Sequence, residues 1–286
     1  MLSHALARVS QIEDNPAIAT RTQAVQALRE LDFDEFGHLL IGMPDTRFPR
    51  VSSLLPAMAL PEVQTNWTGN HGTALLRQST AVVRSMVSTW AQLRGQRLSG
   101  RHVLDYGCGY GRLARLMYYF TDPENVFGCD PWDQSIALCL DAGLGPNFRQ
   151  SDYYPVDLPF NQRFDLIYAF SVFTHTSPKA TWYGLQALRR YVADDGLLMV
   201  TIRPVEYWDW PQPDLPPAAE LKERHSRDGY CFVPHHREPI NGDIPYGDAT
   251  YSLEWLDENA LTGWTRVGVD SAPEDALQIY VYLRPA

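Results

Sequence analysis

Val103-Leu104-Asp105-Tyr106-Gly107-Cys108-Gly109-Tyr110-Gly111-Arg112 reads as a short apolar strand that breaks into a turn with glycine at every second position. Leu113, Leu116, Met117 and Phe120 then recur at helical spacing, so the turn opens a helix over Gly111 to Phe120. Glycines at such a place let the backbone turn sharply and approach a ligand closely, because no Cβ stands in the way. Strand, glycine turn and helix in that order open a parallel α/β sheet.

Downstream the alternation continues. Asn125–Cys129, Asn147–Ser151 and Phe164–Phe170 read as strands, with a helix over Trp132–Asp141. Ser177 supplies an N-cap and Pro178 the first turn of a helix that runs to about Val192 and stops at Asp194-Asp195-Gly196. Leu197–Arg203 is the fifth strand, and Trp264–Val269 and Leu277–Leu283 are the last two, preceded by a short helix over Leu253–Ala260. Pro204–Tyr251 interrupts the rhythm with eight prolines and is too long for a plain connection. It is expected to be an insertion over the ligand-binding edge of the sheet.

Upstream of the glycine turn the chain reads as helical. Ala24, Leu28 and Leu31 share one face, and Leu76, Val83, Val87 and Trp90 form a stripe on a longer helix over Thr73–Arg94. The four prolines between Met43 and Gln64 predict loop or very short helices there.

Of the 286 residues, 45% are hydrophobic and 20% charged, which excludes general disorder. The net charge of −10 disfavours a nucleic-acid-binding surface spread over the protein. All but two of the 24 basic residues are arginine, so a local pocket for carboxylate or phosphate stays open. Cys108, Cys129, Cys139 and Cys231 show no C-x-x-C spacing. Neither an apolar leader nor an uninterrupted apolar run of membrane-spanning length is present, so a soluble cytoplasmic protein with no membrane contact is expected.

A nicotinamide loop of the G-x-G-x-x-G type would place its third glycine at Arg112. Asp105 would also repel a pyrophosphate, yet it suits a ligand that carries an ammonium group. The segment resembles motif I of the class I S-adenosylmethionine-dependent methyltransferases, bacterial small-molecule type, and Arg101 to Arg284 is similar in element order to that fold. The resemblance implies a Rossmann-like α/β fold with a seven-stranded, mostly parallel sheet flanked by helices, an N-terminal helical extension or lid over 1–98, and a core over 99–286 with an acceptor-binding insertion at 204–251.

It also implies S-adenosylmethionine as cofactor, with S-adenosylhomocysteine as product, held by Asp105, Tyr106, Gly107, Gly109 and Gly111. Asp130 closes the second strand 19 residues after Gly111, where an acid accepts ribose hydroxyls. Pro131 and Trp132 offer an apolar face to the adenine, with packing as the other reading of Trp132. Asp152, beside Tyr153, matches the acid that meets the adenine amino group, or else caps a turn. Phe170 and Ser171 end the fourth strand where carbonyls face the methionine part. Trp67, in Trp67-Thr68-Gly69-Asn70-His71-Gly72, is either a lid contact or a packing residue.

His175 follows the fourth strand and would act as base or orienter, or merely order its loop; His225 and His235 are the other catalytic candidates. The adjacent His235 and His236 point poorly at one ion, even with His225 and Asp248 nearby, so no metal is expected. Ala169-Phe170-Ser171-Val172 departs from the signature of DNA amino-methyltransferases. The expected reaction is therefore methylation of a small organic acceptor, a sugar or secondary metabolite, with oxygen favoured, by a monomer or homodimer. Two other readings stay open: a non-catalytic module that binds the cofactor, and a nicotinamide-dependent oxidoreductase.

Overall fold

The computed structural model describes residues 3–210 and 215–286; residues 211–214 of the expected insertion lie outside the described residues. The chain divides into two compact units, residues 1–150 and residues 151–286.

The first unit opens with six helices: α1 (Ser3–Glu13), α2 (Arg21–Leu28), α3 (Phe33–Ile41), α4 (Pro49–Leu54), α5 (Pro61–Thr68) and α6 (Gly72–Arg94). Their starts carry the residues that helix starts require. Thr20 and Gln23 form a reciprocal capping box on α2, Asp32 caps α3, and proline occupies the first turn of α4 and of α5. The expected stripe on α6 is buried at Leu76, Val83 and Trp90 and half-buried at Val87. Then follow β1 (Val103–Tyr106), α7 (Arg112–Met117), β2 (Val126–Asp130), α8 (Asp133–Asp141) and β3 (Phe148–Gln150), with β1 parallel to β2 and β2 parallel to β3.

Arginine has an unexpected use in this unit. Arg29 donates to Tyr118 O and Thr121 O, Arg21 to Leu54 O, Gly143 O and Leu144 O, and Arg50 to Ile12 O, Glu13 O and Ile18 O. The planar guanidinium fork satisfies several carbonyls at once, which lysine's compact ammonium does less well. These arginines fasten the helices and loops of the unit together.

The second unit contains β4 (Phe164–Ala169), α9 (Pro178–Tyr191), β5 (Val192–Ile202), α10 (Ala218–Asp228), β6 (Tyr230–Pro234), β7 (Gly247–Tyr251), α11 (Leu253–Asn259), β8 (Trp264–Ala272) and β9 (Asp275–Pro285). β4 and β5 are parallel, and β9 is antiparallel to both β5 and β8. The seven strands of the main sheet follow the order β3-β2-β1-β4-β5-β9-β8. This is the expected α/β class, with a mostly parallel sheet.

β5 begins five residues before its expected start, at Val192 instead of Leu197. Asp194 and Asp195 are exposed, and the pairing with β4 shifts register between Phe164 and Leu166. Gly196 permits the irregularity, since a Cβ there would lie 2.9 Å from Asp165 O. Two acids and a glycine read as a turn because they disfavour strands, and tertiary pairing overrides that preference.

The insertion builds a lobe of its own. β6 and β7 form an antiparallel pair, and Trp208, Leu221 and Cys231 make a small buried core beside it. Backbone bonds tie β7 to the loop after β4: Gly247 N donates to His175 O at 2.9 Å and Ala249 N to Thr174 O at 3.0 Å. Ser177 Oγ and Tyr154 Oη both donate to Asp243, which fixes the approach to β7.

Candidate active site

In the first unit the glycine turn is wound in the left-handed region, with φ of +74° at Gly107, +54° at Gly109 and +74° at Gly111. Gly107 N and Cys108 N both donate to Cys129 O, which lashes the turn to β2. Asp130, at the end of β2, accepts from Gly109 N at 3.0 Å through Oδ2 and from Trp132 N at 2.9 Å through Oδ1. Burial raises the Asp130 pKa, and these two amides oppose the rise. A carboxylate offers about four acceptor positions, so the backbone bonds leave Asp130 room to accept ligand hydroxyls. Asp105 is buried, and burial also pushes the Tyr106 phenol up.

Trp67, at the end of α5, lies on this turn. A Cβ on Gly109 would meet two atoms of its indole at 3.3 Å. The same indole stacks on Trp132, with centroids 4.9 Å apart and planes 18° apart, and meets Tyr110 edge-on. Trp67 and Trp132 thus form one aromatic cover over the glycine turn, a meeting that no local pattern predicts. Pro131 O accepts from Gln150, which fastens the same loop to β3. Three left-handed glycines and an acid at the end of β2 fit an adenosine ligand.

In the second unit, at the carboxyl end of β4, Phe170 is buried and Ser171 takes φ of +59°, a strained value for a residue with a side chain. Ser171 N donates to Thr201 Oγ1 at 2.7 Å, and its hydroxyl meets Thr174 Oγ1. Asp152 is exposed and Tyr153 half-buried in the loop after β3.

His175 sits within a polar network. Arg203, just past β5, donates to Thr174 O, to Asp248 Oδ1 at 2.6 Å and to His175 Nε2 at 2.8 Å, while its guanidinium lies 3.9 Å from the centre of the Tyr207 ring. A guanidinium only donates, so His175 Nε2 is a bare acceptor and Nδ1–H donates to Gly247 O at 2.9 Å. Burial and the Arg203 charge push the His175 pKa down to about 3. The ring is neutral and both of its nitrogens are engaged, the state of an orienting residue rather than a base.

Asp248 also accepts from Tyr207 Oη at 2.8 Å and bonds His235 Nε2 at 2.9 Å. Burial alone would raise its pKa, but His235 and Arg203 outweigh it and hold the carboxyl below its ordinary value. His225 lies elsewhere, buried in the lobe on Thr250, which also accepts from Trp208 Nε1. Burial lowers its pKa too. His175 and His235 therefore share a network, and His225 packs the lobe core. Arg203 was visible in the sequence only as a strand-end residue; its signal was that position, since ligand crevices open at the carboxyl ends of parallel strands.

Residues 103–196 match the family described as a methyltransferase domain. No curated protein matches the chain in sequence. Among solved structures, an S-adenosylmethionine-dependent methyltransferase from Clostridium acetobutylicum ATCC 824 superposes with a TM-score of 0.51 at 12% identity, covering 79% of this chain and 96% of its own. Magnesium protoporphyrin IX methyltransferase from Synechocystis PCC 6803, with bound S-adenosylhomocysteine, gives 0.46 at 16% identity over 79% and 94%. The CcbJ methyltransferase from Streptomyces caelestis gives 0.46 at 14% over 75% and 97%. Residues 103–196 are thus similar to a methyltransferase domain, and the chain shares its fold with the S-adenosylmethionine-dependent methyltransferase from Clostridium acetobutylicum ATCC 824. Among the described residues no helix is long and apolar enough to cross a membrane.

Proposed function

We propose that this methyltransferase methylates a small organic acceptor, a sugar or secondary metabolite, on oxygen. The observation that carries the cofactor side is the bracket between Gly109 and Asp130, which holds a glycine without a Cβ beside a half-buried acid. In this reading Asp105, Tyr106, Gly107, Gly109, Gly111, Pro131, Trp132, Trp67, Asp152, Tyr153, Phe170 and Ser171 contribute to cofactor binding, and Asp130 accepts the ribose hydroxyls. When bound, the sulfonium supplies an electrophilic methyl group. The protein's own task is then mostly positioning and water exclusion.

The acceptor side rests on the inserted lobe, where Tyr207, Tyr230, Phe232 and Tyr246 are half-buried and concentrate aromatic surface beside the network of His175, Arg203 and Asp248. His175 serves as orienter: it clamps Gly247 on one side and Arg203 on the other. The test has two arms. S-adenosylhomocysteine is expected to raise the melting temperature where NADH does not, and the reverse would favour an oxidoreductase. Mass spectrometry of a cell extract incubated with methyl-labelled S-adenosylmethionine is expected to show a labelled small-molecule ether or ester; label confined to protein or nucleic acid would overturn the acceptor class.

A further inference from the structure

His235 differs from the other two candidate histidines in one respect that decides its chemistry. It follows β6 directly, and its side chain is 40% exposed, against 20% for His175. Its backbone N–H donates to Tyr246 O at 3.1 Å, which fixes the main chain. Asp248 has its Oδ1 held by the charged Arg203 and by the Tyr207 hydroxyl, so it is an ionised acceptor. An ionised carboxylate only accepts, and therefore the neutral form of His235 carries its hydrogen on Nε2, facing Asp248 Oδ2. Nδ1 is left with a bare lone pair and has no partner among the described residues. A buried acid that fixes the tautomer of a part-exposed imidazole is the arrangement that prepares a general base.

We propose that His235 is the general base of the transfer, that Asp248 is the positioning residue that fixes its tautomer, and that the acceptor nucleophile is a hydroxyl. The inference rests on the methyl-transfer reading above. A hydroxyl must lose its proton as it is alkylated, whereas a neutral amine already presents a lone pair. The acceptor oxygen bonds to the methyl carbon as the carbon–sulfur bond breaks, the electron pair of that bond stays on sulfur, and the hydroxyl proton passes to Nδ1 of His235. The charged and titratable groups around the ring are Asp248 and Tyr246 from the β7 side, Arg203 from the end of β5, His175 from the loop after β4, and Arg237, whose guanidinium lies 4.4 Å from the Tyr246 ring centre.

Two measurements test this. Long-range nitrogen-15 spectra of the full chain, without any acceptor, are expected to show His235 protonated at Nε2 and bare at Nδ1 at pH 8, with that preference lost in Asp248→Asn. Hydrogen on Nδ1 in the wild type overturns the proposal. Transfer of labelled methyl to extract small molecules is expected to fall by roughly 10²–10⁴ in His235→Gln, with S-adenosylhomocysteine affinity held within about twofold. The neighbouring His236→Gln is expected to keep its rate. In Asp248→Asn the acid limb of the pH–rate profile is expected to move to lower pH, which a merely structural role would not cause. Full transfer in a folded His235→Gln overturns the base and leaves the methyl-transfer reading standing, whereas failure of the wild type to bind S-adenosylhomocysteine overturns both.

Discussion

Gly109 and Asp130 are bonded to each other: the amide of the turn after β1 donates 3.0 Å to the carboxylate that ends β2. The acid expected to grip a ribose also holds the glycine that lets a ligand approach. Removing Asp130 therefore strikes binding twice. Charge-assisted hydrogen bonds contribute roughly 1.5–3 kcal/mol each before water recovers part of it. Asp130→Ala is expected to weaken S-adenosylhomocysteine by at least about tenfold in calorimetry, a loss of ~1.4 kcal/mol. Unchanged affinity would reduce Asp130 to a loop bracket.

Gly109→Val adds a side chain where φ is +54° and where the Trp67 indole lies 3.3 Å away. Cofactor binding is expected to disappear with circular dichroism of the folded chain retained. Pairing Gly109→Ala with Trp67→Ala separates the two causes: relief of the indole contact restores part of the stability lost by Gly109→Ala alone, and what remains is the left-handed strain, on the order of 1 kcal/mol. Additive losses in a urea titration would show that the indole does not press on the turn.

His175 gives the fold a pH dependence with a definite sign. Its folded pKa is down to about 3, while an unfolded histidine titrates near 6.5. Between those values the unfolded chain takes up a proton that the folded chain refuses, so stability falls as pH falls through that window and is flat above it. The slope for one such proton is about 1.4 kcal/mol per pH unit. Depressed Asp248 works in the same direction at the lower end. His175→Gln is expected to flatten the dependence of unfolding free energy between pH 6 and 4; an unchanged slope would mean that the ring is protonated in the native state.

Gly247→Ala is expected to be among the costliest single substitutions in the lobe. The new methyl would be forced against the backbone of β6, onto Val233 O and 2.7 Å from Pro234 Cα; the Phe232 ring could swing away, but these main-chain atoms could not. A loss of roughly 1–3 kcal/mol follows from such overpacking, and hydrogen exchange is expected to quicken across Tyr230–Pro234. Normal protection there would show that the pairing of β6 and β7 tolerates a side chain.

The α/β class was legible because apolar runs and helical stripes alternate so regularly around Gly107, Gly109 and Gly111. The helix starts at Ser177 and Pro178 were legible because capping is local chemistry. What escaped is what depends on long-range partners. The histidines could be named, but their roles lie in the atoms opposite them: Arg203 claims one nitrogen of His175, 28 residues away, and Asp248 claims one nitrogen of His235. The stack of Trp67 on Trp132 joins two segments that no periodicity connects. The abundance of arginine left a pocket for anionic ligands open, and in the first unit arginine serves backbone carbonyls.

The hold of β7 on the loop after β4 is made through the amides of Gly247 and Ala249 and the carbonyls of His175 and Thr174. Main-chain groups are the same whatever side chain they carry, apart from proline, so beyond Gly247 itself, where a Cβ has no room, this fastening has little sequence to lose by mutation. Neighbouring positions such as Phe232 and Tyr246 can then exchange one ring for another while the lobe stays seated. A lobe attached this way keeps its seat while the side chains it displays change, because what holds it is backbone.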